Sequence, residues 1–229
     1  MTATVNTPAP RGRSRETRRR IVTAASELFL ADGYGATTLE SIAARAGVAV
    51  QTVYFHFHNK RTVLKEVTDR LSAGDDEAVA LLERPWTQQM REAPNAAEAV
   101  EVWCELSSEV FARVARIRWM AVTASANDAD LAAQERVNRE QTLAAHRVLA
   151  EHLAERGALR ADLTVERAGE ILYALVSLEL YVLFTTELGW SAQRWEEWVL
   201  DTVVRTVLAG EPSRMTELEH SRESEAGLR

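Results

Sequence analysis

Helix-forming segments separated by single glycines fill the first sixty residues of this chain and restrict it to a small set of folds. Apolar side chains repeat at helical spacing over the first segment, at Ile21, Ala24, Ala25, Leu28 and Phe29. This i, i+3, i+4, i+7 and i+8 spacing is typical of a helix that buries one face. Gly33 is predicted to end the helix.

Two shorter helices are predicted to follow. Thr37 and Glu40 have the spacing of a capping box, in which the Thr hydroxyl and the Glu carboxylate each satisfy a backbone N–H at the start of a helix. Gly47 permits a sharp turn after that helix, and residues 50–57 have room for about two turns of a third. Asn59 is predicted to cap a fourth helix that begins at Lys60.

This arrangement predicts a helix-turn-helix. Two short helices joined by a glycine-containing turn can present the second helix to a DNA major groove, which is about 12 Å wide. Val53 and Phe57 lie four residues apart and are predicted to face the core. The other surface of the third helix then carries groups that can meet bases or phosphates: Gln51, Thr52, Phe55 and His56.

Composition extends the helical prediction to the rest of the chain. Only ten Gly and five Pro occur in 229 residues, of which 46% are hydrophobic, so helices and a sizeable core are both favoured. The fold class is therefore predicted as all-α, with an N-terminal three-helix helix-turn-helix domain followed by a larger helical domain. Pro85 is expected to kink or break the second of the further predicted helices, which are 60–74, 76–91, 96–115, 117–126, 129–156, 164–188 and 191–209.

Charge is divided unevenly along the chain. The net charge is −7, which on its face argues against a nucleic-acid partner. Residues 1–64, however, carry nine basic and four acidic side chains, a net +5, and residues 65–229 carry −12. The basic end coincides with the predicted helix-turn-helix, as expected for a DNA-binding surface.

A cytoplasmic protein without a membrane anchor is predicted. The single Cys104 cannot form an internal disulfide, and the N-terminus does not resemble a signal peptide. The apolar run from Ile171 to Phe184 is shorter than the roughly 20 residues that span a bilayer. No cofactor and no metal site are predicted, because the side chains of His56 and His58 diverge on a helix and no cysteine lies near them.

The N-terminal pattern resembles the tetracycline-repressor (TetR) family of transcriptional regulators. The resemblance covers residues 15–64 and is carried by Ile21-Val22-Thr23-Ala24-Ala25, Leu28-Phe29, Gly33, Thr37-Thr38, Ile42-Ala43, Ala46-Gly47-Val48, Thr52-Val53-Tyr54, His56-Phe57 and Lys60. It implies that one set of side chains binds phosphates, namely Thr38, Thr52, Tyr54, His56 and Lys60. A second set is implied to approach base edges, namely Val50, Gln51 and Phe55.

Two departures from the family pattern affect the third helix. Ala49 replaces the small polar residue that usually caps it, so the helix is expected to be less ordered before DNA binds. Gln51 replaces a frequent glycine and can offer two hydrogen bonds to adenine. Tyr54 and Phe55 have an alternative interpretation as ordinary core aromatics.

The resemblance also implies a dimeric repressor that leaves a palindromic operator when a small-molecule effector binds. The apolar helices 164–188 and 191–209 are expected to pair as a hairpin and to form the homodimer interface. The effector is expected to contact aromatic and flexible side chains of the larger domain: Trp103, Phe111, Trp119, Met120, Tyr173, Glu179, Tyr181 and Phe184. Glu179 is equally compatible with a ligand, a dimer partner or solvent.

The chain is accordingly divided into a flexible basic arm (1–14), a DNA-binding domain (15–64), a ligand-binding and dimerisation domain (65–209) and a flexible tail (210–229). Two other function classes remain as alternatives. An architectural DNA-binding protein would need no effector. A helical enzyme would need a catalytic constellation, and His146 and His152 lie on a charged helix without a nucleophile or metal-ligand spacing.

Overall fold

The structure is a computed structural model that describes residues 10–74 and 85–210. Within these ranges the chain is helical, apart from loops and one isolated antiparallel bridge between Leu159 and Leu208. This agrees with the all-α prediction. The elements are α1 (Pro10–Ala36), α2 (Leu39–Ala46), α3 (Val50–Phe57), α4 (Lys60–Ala73), α5 (Pro85–Glu92), α6 (Ala96–Ser125), α7 (Ala129–Glu155), α8 (Val165–Leu175), α9 (Leu178–Val182), a π-helical turn (Leu183–Glu187) and α10 (Ala192–Val207).

Helix α1 begins earlier than the sequence predicted. It starts at Pro10, inside the segment 1–14 that was predicted as an arm, and residues 1–9 lie outside the described residues. Gly33 interrupts the helix with φ 80° and ψ 168°, a conformation that glycine adopts without a Cβ penalty. A last helical stretch follows to Ala36.

The predicted capping box is displaced by one residue. Thr38, not Thr37, is the N-cap of α2, and its hydroxyl accepts a hydrogen bond from the Ser41 amide at 3.1 Å. The Ser41 hydroxyl, not the Glu40 carboxylate, accepts in return from the Thr38 amide at 3.0 Å. Thr37 is unavailable because it is buried and its hydroxyl donates to the Gly33 carbonyl at 2.8 Å.

One predicted break and one predicted continuous helix in the larger domain are wrong. Residues 96–125 form one 30-residue helix, whereas the sequence analysis divided them at Arg116. Conversely, the predicted continuous helix 164–188 ends at Leu175 and restarts at Leu178, where the Ser177 hydroxyl caps the new helix. Of the predicted helix 76–91, the structure describes the part from Pro85, where α5 begins. The predicted tail lies outside the described residues beyond Gly210.

Residues 165–187 are long and apolar enough to cross a membrane by composition alone, with a mean hydropathy of 1.5 over the best window. In the structure this segment is interrupted after α8 and packs against α6 and α7. Of the most apolar window, 39% is buried in the structure, and the segment is longer than the apolar run weighed in the sequence analysis.

Two hydrophobic cores share helix α6. The first core joins α1–α4 to the C-terminal half of α6, through Val114, Ile117 and Ala121. The second lies between α5, α6, α7, α8 and α10 and includes Trp103 and Trp195. Because α6 contributes to both cores, it connects the helix-turn-helix directly to the interior of the larger domain.

Candidate nucleic-acid interface

The turn between α2 and α3 is held by its own glycine and by α1. Gly47 has φ 65° and ψ 43°, the left-handed conformation that ends α2. The Arg20 guanidinium of α1 donates to the carbonyl oxygens of Ala46 and Gly47 at 2.5 and 3.2 Å. A Cβ atom at Gly47 would lie 2.9 Å from Arg20 Nη2, so a larger residue would disturb this contact as well as the backbone.

Helix α3 has one buried face and one outward face. Val53 and Phe57 are completely buried, as predicted. On the outward face Phe55 is 78% exposed and Tyr54 47% exposed, so neither is a core aromatic. The same face carries exposed Gln51 and half-buried Val50, Thr52 and His56. The structure therefore brings together all the residues of α3 that the resemblance assigned to DNA.

Contacts from α1 and α4 fix the position of α3. The Arg18 guanidinium lies 4.7 Å from the centre of the Phe57 ring and donates two hydrogen bonds to the Glu66 carboxylate, at 2.9 and 2.7 Å. These bonds lower the pKa of Glu66 and raise that of Arg18, so the pair stays charged. Burial, with a smaller contribution from Arg18, lowers the pKa of His56, which favours its neutral form.

Thr38 and Lys60 lie at the two ends of the segment that surrounds α2 and α3. Thr38 is exposed and caps α2. The Lys60 ammonium donates to the carbonyl oxygens of Tyr34 and Thr37 at 2.6 and 2.8 Å and lies 4.2 Å from the centre of the Tyr34 ring. An ammonium has three donors, so two of them are used within the protein and one remains for another acceptor.

Helix α3 lacks the side-chain cap that α2 and α4 have. Its N-cap residue Ala49 has an extended backbone, φ −69° and ψ 145°, and makes no side-chain hydrogen bond. Asn59 caps α4 by accepting from the Thr62 amide at 2.9 Å. The sequence analysis predicted both of these features.

The residues predicted to contact an effector fall into separate groups. Phe111 and Tyr181 lie with ring centres 5.5 Å apart, and both contact the ring of Trp195. Phe184 belongs to another aromatic group, with Trp190 and Trp198. Glu179 is exposed to solvent in the single chain.

The four other residues predicted to contact an effector are distributed differently. Trp103 is buried and contacts the ring of His146, which in turn contacts Tyr173. Trp119 is 39% exposed and lies outside these aromatic groups. Met120 packs against the first core and lines a cleft of about 600 Å³, together with Tyr34, Lys60 and Asp128.

The sequence analysis missed His146 as an interior residue. His146 is 4% exposed. The signal for His146 was present, because it precedes Leu149, Ala150 and Leu153 at the i+3, i+4 and i+7 spacing of a buried helix face. Among the described residues no group of three or more potential metal-binding side chains is found.

Comparisons with known proteins agree with this geometry. Residues 21–67 match the family described as "Bacterial regulatory proteins, tetR family". TtgW of Pseudomonas putida, an uncharacterized HTH-type transcriptional regulator, is 48% identical over 54 residues, which cover 24% of this chain and 40% of that protein. This chain thus matches less than half the length of that relative.

Two further similarities extend over most of the chain. The HTH-type transcriptional repressor BepR of Brucella suis biovar 1 (strain 1330) is 26% identical over 200 residues, covering 85% of this chain and 93% of that protein. The crystal structure of NalD, the secondary repressor of the MexAB-OprM multidrug efflux pump in Pseudomonas aeruginosa, has a TM-score of 0.63 and 25% identity. The match covers 86% of this chain and 100% of the NalD chain.

Proposed function

We propose that this chain, whose residues 21–67 match the tetR family of bacterial regulatory proteins, is a homodimeric, sequence-specific DNA-binding repressor of that family that a small-molecule effector releases from its operator. It acts in the cytoplasm and has no catalytic step. Similarity to the repressors BepR and NalD supports repression rather than activation.

The observation that carries the proposal is the outward face of α3. An apolar ring, an amide and hydroxyl groups lie near one another there, at Phe55, Gln51, Thr52 and Tyr54, and Phe55 and Tyr54 are among the exposed large hydrophobic side chains. In DNA recognition, such groups divide between phosphates, which fix position, and bases, which specify sequence. We assign Thr38, Thr52, Tyr54, His56 and Lys60 to phosphates and Val50, Gln51 and Phe55 to base edges.

The segment from α8 to α10 is proposed as the dimer interface. Leu183 and Leu188 are 38% and 57% exposed in the single chain, and Phe184, Trp190 and Trp198 are half-buried beside them. Burial of such a surface against its symmetry mate would produce a two-fold axis. The two α3 helices would then enter successive major grooves, with half-sites about 34–36 Å apart or a multiple of that distance.

We place the effector within residues 65–209, where aromatic rings line the second core. Residues 15–64 are assigned to DNA binding. A ligand that prefers a different separation of the two α3 helices would lower DNA affinity, because both helices must reach their grooves at once.

Selection from random duplex DNA with the full-length protein tests the proposal. We expect an inverted repeat, and a dimer at micromolar concentration by analytical ultracentrifugation. Gln51→Ala should relax the preference at one base pair in each half-site. Gln141→Ala, the same substitution at an exposed position of α7, should leave the selected motif unchanged. A monomer that selects no symmetric sequence would contradict the proposal.

A further inference from the structure

The net positive charge of the N-terminal region lies at the beginning of α1. Residues 10–20 contain six arginines and one glutamate, a net charge of +5. Residues 21–64, which include α2 and α3, contain three basic and three acidic side chains and are neutral overall. The net +5 of residues 1–64 therefore comes entirely from the short segment 10–20.

Helix α3 carries no lysine or arginine. Its sequence, Val50–Phe57, contains only apolar and polar side chains and one histidine, His56. Burial, with a smaller contribution from Arg18, lowers the pKa of His56, so Lys60 is the one cation among the side chains assigned to phosphates. Neutralisation of phosphates supplies essentially all of non-specific DNA affinity and a large share of specific affinity. A neutral helix-turn-helix therefore requires a basic surface close to α3.

The beginning of α1 lies close to α3. The Arg20 guanidinium donates to two carbonyl oxygens of the turn that precedes α3. The Arg18 guanidinium lies 4.7 Å from the centre of the Phe57 ring, at the other end of α3. Its charge also lowers the pKa of His56, which belongs to the outward face. Arg15 precedes Arg18 by three residues and so lies one turn farther along the same side of α1.

The first turns of α1 extend ahead of the core. The helix begins at Pro10, and Ile21 is the first buried residue among those described. Residues 13–16 are all exposed. The segment from Pro10 to Ile21 corresponds to about 16 Å of helix at 1.5 Å per residue. A surface beside α3 can therefore reach these side chains without any change in the core.

Stability does not account for a helix of this composition. Residues 11–20 contain no hydrophobic side chain that could be buried. Arginines near a helix N-terminus oppose the helix dipole, and neighbouring arginines repel one another. The Glu16–Arg19 pair, at 2.8 Å, compensates only part of this charge. Conflicts between local preference and structure are expected at functional sites. A polyanion beside the segment would turn the repulsion into attraction.

We propose that the beginning of α1 binds the phosphate backbone of the operator, beside the groove that α3 enters, through Arg13 and Arg15. The inference rests on the proposed function, because it assigns the part of the chain that neutralises the operator's phosphates. It extends the DNA-binding surface ahead of residue 15. Phosphate contacts fix position without reading sequence, so α1 supplies affinity and α3 supplies sequence preference.

The salt dependence of DNA binding by the full-length protein tests the assignment. The double variant Arg13→Gln/Arg15→Gln keeps long side chains of good helix propensity and removes two charges from each protomer. The slope of log affinity against log salt should become shallower by about 0.9 for each lost contact, hence by about 2 for each protomer. In a dimer, the advantage of the wild type should then shrink roughly hundredfold between about 50 and 200 mM salt. The selected motif should stay the same.

A matched control removes the same charge elsewhere. Arg136 and Arg139 are exposed on α7, in the larger domain. The variant Arg136→Gln/Arg139→Gln should keep the wild-type slope and the wild-type motif. Melting temperature separates binding from a structural role. The α1 variant should melt at or above the wild-type temperature, because repulsion at the helix N-terminus is relieved.

The outcomes separate this inference from the proposed function. An unchanged slope in the α1 variant, or an equal loss in the α7 variant, would overturn the inference. If the wild type nevertheless selects an inverted repeat, the proposed function stands. The slope is also measured on a duplex of unrelated sequence, where the same loss is expected because phosphate contacts are independent of sequence. That loss in a protein that selects no symmetric site would support the inference and contradict the proposed function.

Discussion

Phe55 is the most exposed large apolar side chain of the described residues, at 78%, and it lies on the outward face of α3. Its ring meets the His56 ring edge-on at 5.3 Å, which holds it away from the core. In a major groove the apolar group available to such a ring is the methyl group of thymine. Phe55 is therefore predicted to select a thymine in each half-site.

A uracil scan of the selected operator checks this prediction, because uracil differs from thymine only by that methyl group. At one position per half-site, uracil should weaken wild-type binding about fourfold, the equivalent of one methyl group of ~0.8 kcal/mol. Phe55→Ala should bind the thymine and uracil duplexes equally. A scan in which no thymine matters to the wild type would exclude the contact.

Lys60 is predicted to combine an internal and an external role. Two of its donors are occupied by the carbonyls of Tyr34 and Thr37, so Lys60→Ala should disturb the connection between α1 and α2. If the third donor binds phosphate, the same variant should also lower the slope of log affinity against log salt by ~1. Measuring affinity at several salt concentrations checks this. Lower affinity with an unchanged slope would leave Lys60 with the internal role alone.

Residue-level prediction from sequence succeeded where the determinant is local. Asn59 was identified as a cap because its side chain bonds an amide three residues later. Thr37 was chosen wrongly over Thr38, because its hydroxyl is taken by the carbonyl of Gly33, which depends on the kink there. His146 was missed because its charged neighbours outweighed its position on a buried face. Its contacts with Trp103 and Tyr173 come from other helices and have no local signal.

Helix α3 is the element whose stability can be raised most simply. Ala49 occupies its N-cap with an extended backbone and no side-chain hydrogen bond. Ala49→Ser should stabilise the protein by about 1 kcal/mol, because the hydroxyl can accept from an amide of the first turn. Thr38→Ala, which removes the cap of α2, should destabilise it by a similar amount. Thermal denaturation measures both changes, and a lower melting temperature for Ala49→Ser would contradict the prediction.

Helices α6 and α7 are joined by a largely buried ion pair. The Arg118 guanidinium donates to both carboxylate oxygens of Glu135, at 2.7 and 2.9 Å, and the two side chains are 18% and 6% exposed. Removing one partner leaves a charge without compensation. Arg118→Met should therefore cost about 3 kcal/mol, whereas the double change with Glu135→Leu should be close to wild type. Denaturant unfolding of Arg118→Met, of Glu135→Leu and of the double variant measures these changes in the free energy of unfolding. If the losses of the two single variants add up in the double variant, the prediction is refuted.

The predicted helix boundaries were correct at some ends and wrong within apolar runs. Helix α7 begins at Ala129, the predicted start, and Asp128 caps it. The break between α8 and α9 falls in a run that is apolar nearly throughout, so periodicity gave no reason to place it. Nothing local ends α6 near Arg116, and its continuation reflects packing against the first core by Ile117 and Ala121.

Across the whole molecule, α6 connects the second core with the helix-turn-helix. Trp103 belongs to the second core and Ile117 to the first core, beneath the helix-turn-helix, and both lie on this one continuous helix. The 14 residues that separate them span about 21 Å at 1.5 Å per residue. The Arg118–Glu135 pair fixes the same end of α6 to α7. A displacement of α6 at Trp103 would therefore move the helix-turn-helix, since a continuous helix transmits it.

The last prediction is that effector and operator oppose each other equally. In a dimer, displacing α6 in both protomers changes the distance between the two α3 helices, whereas the operator holds that distance fixed. Coupling of this kind is typically ~1–3 kcal/mol, about 5–150-fold in affinity, and it must be reciprocal. Titrating an aromatic ligand, identified by a thermal-shift screen, into the protein with and without saturating operator should show weaker ligand binding in the complex. The factor should match the loss of operator affinity at saturating ligand. A ligand that binds with the same affinity in both titrations would show that α6 does not couple effector binding to operator binding.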